Sequence, residues 1–282
     1  MFLPFLLLLI AFLVLWLPRF VSYWPYLFGG SLVAAYGTGM ADAVALIAIA
    51  AYAGACYGLK QSYQRSQVIY WLCWVVAVVG GLAFAIHIIP GFTPWVMYES
   101  VNFSQTSADY IIRYGLDKAI VGLLLIALLA NRIKRVEEWQ RTLCALPVIF
   151  VATLVPVMLL GVLSGYLIFD PKLNLLMLWW ALGNLFITCI AEEAFFRLLI
   201  QERLKALFHQ RPYAAAWVLG ISAVLFGLAH AGGGWLMMIG GTIAGFGYAY
   251  AYHKTGRVEA AIVVHFALNA THIVFFSYPY AA

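Results

Sequence analysis

Charge is what this sequence has least of. Of 282 residues, 11 are Asp or Glu and 16 are Lys or Arg, so 10% of the chain is charged while 65% is hydrophobic. Soluble domains carry roughly 25% charged residues and about 45–50% apolar ones. A water-facing surface cannot be covered from this set, and a soluble globular protein is excluded. Segments of about 10 residues that alternate apolar and polar are also missing, which excludes a transmembrane barrel. Cysteine is sparse: Cys56, Cys73, Cys144 and Cys189 form no CxxC pair, so neither a zinc ribbon nor a disulfide framework is indicated, and they read as small apolar packing residues. No HExxH or GxSxG motif occurs, so the usual zinc-protease and serine-hydrolase arrangements are absent. The net charge of +5 comes from cations in short loops rather than from a basic patch interleaved with aromatics. No nucleic-acid partner is expected, and the lipid bilayer is the expected surrounding.

Long apolar runs are what the sequence has instead. Against a span of about 20 residues, there are about nine, over residues 2–17, 40–59, 68–89, 110–130, 143–168, 174–200, 213–230, 235–252 and 258–277. In lipid, backbone polar groups must be satisfied within the segment, so continuous runs are helices. The expected fold class is all-α, a polytopic transmembrane helix bundle of about nine spans. The first run has no Lys or Arg before it and no small-residue cleavage site after it, and reads as a span rather than a signal peptide. Residues 20–36, aromatic and glycine-containing, are expected at the membrane interface. Loops after the even-numbered runs hold Lys60, Arg65, Arg132, Lys134, Arg135, Arg141, Arg203, Lys205, Arg211, Lys254 and Arg257, whereas the opposite side holds Arg19, Arg113, Lys118 and Lys172. That asymmetry places the even-numbered loops and the N-terminus in the cytoplasm.

Arg197 belongs to neither side, because it lies inside the sixth run. Ionisable groups within a span are expensive and point to function. The sixth run contains Glu192, Glu193 and Arg197. Adjacent helical residues point about 100° apart, so the two glutamates serve different purposes. Glu193 and Arg197, at i and i+4, share a face and can pair. Glu192 has no counter-ion on its own helix and must meet water or a polar group from another. The seventh run closes on Phe226-x-x-x-His230 before a run of glycines, and the ninth carries His265-x-x-x-Asn269 on one face. His272 follows on nearly the same stripe, toward the end of the span where water is near. A carboxylate with a histidine can deprotonate water, and an imidazole with an amide can donate to a developing oxyanion. Straight vertical helices would not bring these groups to one depth, so tilted or broken helices lining a wet cavity are expected.

Glu192-Glu193-x-x-x-Arg197, then Phe226-x-x-x-His230, then His265-x-x-x-Asn269 resembles the three motifs of the CPBP family. These are the type II CAAX-prenyl endopeptidases and the bacterial bacteriocin-processing or immunity proteins. The resemblance covers roughly residues 143–277 and divides the chain into an N-terminal transmembrane region, 1–140, and a protease domain, 141–282. It implies a glutamic-type intramembrane endopeptidase acting on a protein or peptide substrate, in the bacterial inner membrane. By motif position, Glu192 and His230 activate water, His265 and Asn269 stabilise the oxyanion, and Glu193, Arg197 and Phe226 support them. The resemblance implies no required cofactor. If zinc is bound, its ligands are Glu192, His230 and His265, which suit it by donor type. The alternatives are a non-catalytic immunity or chaperone-like member of the same fold, and a transporter or haem carrier using the intramembrane histidines.

Overall fold

Helices dominate because the apolar runs leave the backbone no partner but itself. The computed structural model describes residues 1–62 and 66–282; Arg65, counted above among the cytoplasmic cations, lies outside the described residues. Among the described residues, four helices are long and apolar enough to cross a membrane: Ala43–Ser62, Gln67–Ala85, Leu146–Leu163 and Val258–Phe275. Two shorter apolar helices are Phe2–Val14 and Ala214–Leu228. The chain divides into two compact units, Met1–Val96 with Arg113–Lys134 and Phe186–Phe195, and Met97–Ile112 with Arg135–Leu185 and Phe196–Ala282.

The first unit opens with α1 (Phe2–Val14) and α2 (Trp24–Gly37), followed by α3 (Ala43–Ser62) and α4 (Gln67–Ala85). Residues 20–36 are thus largely a helix. Ser66 caps α4, its hydroxyl accepting from the Ile69 amide at 3.4 Å. The fourth apolar run is not all helix. Its first residues form β2 (Tyr110–Tyr114), paired with β1 (Trp95–Val101) in a two-stranded sheet, and α5 (Leu116–Leu129) begins only after Gly115. The reason is a local period of two: Ile112 and Tyr114 are buried while Ile111 and Arg113 are exposed. The fold is mostly helical, consistent with the all-α membrane class, with one small two-stranded sheet beside the helices.

A small residue on a helix face lets a neighbouring backbone approach. Gly122 on α5 does this for α9 (Ile190–Glu193), because a Cβ there would lie 3.0 Å from both the amide nitrogen and the Cα of Ala191. This contact brings α5 against the turn that carries both glutamates.

In the second unit, α6 (Val136–Cys144) and α7 (Leu146–Leu163) precede α8 (Leu176–Gly183), α10 (Glu202–Phe208), α11 (Ala214–Leu228), α12 (Trp235–Thr255) and α13 (Val258–Phe275). Glycines of α12 set the packing. A Cβ on Gly247 would lie 1.9 Å from Thr153 Oγ1 of α7, and one on Gly245 would lie 2.8 Å from Phe226 Cβ of α11. Gly245→Val is accordingly expected to cost about 1–3 kcal/mol through overpacking, read as a lowered thermal midpoint in detergent. Gly220→Ala on α11, with nothing within 4 Å of the added carbon, should leave the midpoint unchanged or slightly raised.

The chain after α13 is tied to two loops of the same unit. Ser277 exchanges hydrogen bonds with Ile168, and the Ala282 amide donates to the Thr106 carbonyl at 3.0 Å. Lys172 Nζ donates to the Phe276 carbonyl. Hydroxyls of Ser104 and Thr106, with Lys172 close by, hold the Asp170 carboxyl below the usual carboxylate range.

Candidate active site

From Leu176 to Phe208 the chain is helical without a break, but its winding changes. Asn184–Cys189 and Ala194–Gln201 are wound as π-helix, and between them stands the single α-turn Ile190–Glu193. Such i→i+5 winding is frequent at functional sites, and here it flanks Glu192 and Glu193 on both sides. The helix is thus irregular in its winding here, although it is not broken.

In the first unit, Glu192 is met by a cation from another helix. Lys118 Nζ of α5 donates to Glu192 Oε1 at 2.7 Å, and both side chains are 17% exposed. The sequence reading required a polar group from elsewhere and had counted Lys118 only as a loop cation on the non-cytoplasmic side. Glu193, one residue on, is 0% exposed. The two adjacent carboxylates thus occupy different environments, one part-exposed and ion-paired, the other wholly buried. Behind Lys118, Asp117 is buried and its Oδ2 lies 2.6 Å from His87 Nδ1, with Oδ1 accepting from the Lys118 amide at 2.9 Å.

In the second unit, two histidine rings bracket one phenylalanine. Phe226 is buried, its ring centroid 4.9 Å from that of His230 and 5.8 Å from that of His265. His230 Nδ1 lies 2.9 Å from the Phe226 carbonyl oxygen. A carbonyl only accepts, so Nδ1 carries a proton and donates, and the tautomer this selects has Nε2 as its basic nitrogen. His265, 4% exposed, stacks on Tyr248 at 4.4 Å with the rings inclined by 13°. Gly241 faces the His230 ring, which a Cβ there would meet at 3.3 Å. Asn269 Nδ2 donates to Asn184 Oδ1 at 3.2 Å, which fixes the amide's orientation on α13.

Arg197 is 0% exposed and lies over the face of the Phe226 ring, with its guanidinium carbon 5.9 Å from the ring centroid. Its Nη1 donates to Gln201 Oε1 and to Ser222 Oγ, both at 2.9 Å, and Gln201 Nε2 donates to the Ala249 carbonyl at 2.9 Å. A buried charge needs such partners. The arrangement ties the turn from Arg197 to Gln201 to α11 and α12. The Phe226 ring thus neighbours Arg197 and both histidine rings.

Several of these residues escaped the sequence reading. Gln201 stands at i+4 from Arg197 and was within reach of the helical-spacing rule. Asn184 is a polar group inside an apolar run, but it is uncharged and so less conspicuous there than an ionisable side chain. Ser222 carries no signal, since serine is common in spans. Glu259, 2% exposed in the first turn of α13, is suited to the positive end of the helix dipole. His272, by contrast, is occupied structurally: its Nε2 donates to the Ser277 carbonyl at 3.1 Å and its ring packs edge-on to Tyr278. Among the described residues, no three or more His, Cys, Asp or Glu side chains are grouped to hold a metal ion.

Residues 174–271 match the family model of the Rce1-like type II CAAX prenyl endopeptidases. The match starts just before α8 and ends within α13, so it takes in all three motifs and leaves out α5 with Lys118. It is the same family to which the motifs pointed. No curated protein and no solved structure matches the chain.

Proposed function

We propose that this chain is an intramembrane endopeptidase of the CAAX-protease type, hydrolysing a peptide bond in a membrane-anchored or C-terminally processed protein. The observation that carries this reading is the family match over residues 174–271, within which every motif residue is present. Glu192 acts as general base. It takes a proton from water as the water oxygen attacks the scissile carbonyl carbon, and His230 assists through its unprotonated Nε2. His265 and Asn269 donate to the oxygen on which negative charge develops. As the C–N bond breaks, the proton held by Glu192 passes to the leaving amine. Glu193 and Arg197 hold the helix, and Phe226 spaces the two imidazoles.

The reaction in this reading needs no metal. Asn269 supports it, because an amide is a poor zinc ligand and a good oxyanion donor, and water activation gives work to all four residues. In the same reading the chain crosses the bacterial inner membrane about nine times, with its N-terminus in the cytoplasm.

The test incubates the purified protein, in lipid nanodiscs, with membranes from a strain lacking it, and maps new protein termini by mass spectrometry. New termini are expected with the wild-type protein and none with Glu192→Gln. Dialysis against a chelator should leave the yield of termini unchanged, and elemental analysis should find no stoichiometric zinc. Identical termini from both proteins would overturn the protease reading. Activity lost to the chelator and restored by zinc would overturn the metal-free mechanism.

A further inference from the structure

We infer that Lys118 is a positioning residue for the Glu192 carboxylate, so that a helix outside the family-matched segment completes the site. The inference rests on the reading of Glu192 as general base. It follows from helix register and a close backbone contact rather than from the motif pattern.

Lys118 stands three residues into α5, a helix whose other residues are almost all apolar and mostly buried. A lysine there is costly unless it is paired. Gly122 is its i+4 neighbour, so the two lie on one face of α5. Gly122 is also the point where α5 touches the backbone at Ala191. One turn before that contact, the Lys118 side chain is therefore directed at Glu192, the residue after Ala191, and it arrives at 2.7 Å from Oε1. The start of α5 is fixed in turn by Asp117, which binds the Lys118 amide through one oxygen and His87 through the other.

The charges on the two packed elements are Asp117 and Lys118 on α5 and Glu192 and Glu193 on α9. Only Lys118 offers a cation to Glu192 from this pair of elements. A carboxylate on a flexible side chain has two oxygens and several rotamers. An ammonium bonded to Oε1 selects one rotamer and aims Oε2. General-base catalysis is sensitive to such aim, since a misplacement of about 1 Å costs roughly 10²-fold. The N-terminal half of the chain thereby contributes directly to the site.

The experiment measures steady-state kinetics on a fluorogenic peptide spanning a cut site mapped by the termini assay above. Lys118→Gln keeps a hydrogen-bond donor without the charge, Lys118→Met removes both, and Lys118→Arg restores a cation. The expected result is a fall in kcat of roughly 10–10²-fold for the first two, with KM within a factor of about two, and substantial recovery in Lys118→Arg. Thermal midpoints in detergent identify which variants are folded. If Lys118→Met fails to fold, Lys118→Gln carries the comparison; if neither uncharged variant folds, Lys118 is a stability residue and the inference is overturned. A folded Lys118→Gln with wild-type kcat, or a loss confined to KM, also overturns it. Failure of the protease reading looks different, because the wild-type protein itself would then yield no cut site distinct from that of Glu192→Gln.

Discussion

Glu192→Gln is expected to abolish turnover while leaving the protein folded and inserted, and Glu193→Gln to do the converse. The two side chains are adjacent in sequence, yet their surroundings set opposite outcomes. Glu192 is part-exposed, and a glutamine keeps an oxygen to accept from Lys118. What the glutamine loses is the capacity to take a proton, so catalysis fails and the fold stays. Glu193 is wholly buried. A buried carboxylate persists only with partners, and neutralising it strands them at a cost of about 3–5 kcal/mol. The check is paired: new termini per unit time, and the thermal midpoint in detergent. A well-folded inactive Glu193→Gln together with an active Glu192→Gln would reverse the two roles.

Asn269→Ala is expected to lower kcat by about 10²–10³-fold, the usual effect of losing one oxyanion donor, with KM little changed. The donor acts only as charge develops on the substrate oxygen, so the loss falls on the transition state and not on ground-state binding. Asn184→Ala should lower kcat as well, by less, because Asn269 would keep its amide and lose only the bond that orients it. Steady-state kinetics on the same peptide separate the two. A loss in KM alone for Asn269→Ala would place the amide in substrate binding.

Much of the candidate site was legible because the membrane makes charge conspicuous. Glu192, Glu193, Arg197, His230 and His265 stand out against apolar neighbours, and i,i+4 spacing adds Asn269 and would have added Gln201. Long-range partners are a different matter. Nothing in the sequence connects Lys118 with Glu192, 74 positions away, or Ser222 with Arg197, because those pairs depend on how close the helices run. Glycines decide that closeness at Gly122 and Gly245, and a glycine in a span carries no sign of which helix it faces. The fold was legible in class and less so in detail. Residues 110–114 belong to an apolar run, and they alternate in burial rather than in polarity, so their residue types do not mark a strand. The π-helical winding around Ile190–Glu193 could not be read from residue types, although the need for an irregular helix could.

The most direct measurement is a comparison of membrane-protein termini in living cells across three strains: one lacking this protein, one restored with the wild-type chain, and one restored with Glu192→Gln at equal abundance. A defined set of new termini, near or within membrane anchors, should appear only in the wild-type strain, and the Glu192→Gln strain should match the deletion. Termini shared by the wild-type and Glu192→Gln strains but absent from the deletion would contradict catalysis by this carboxylate, and no difference among the three strains would contradict proteolysis altogether.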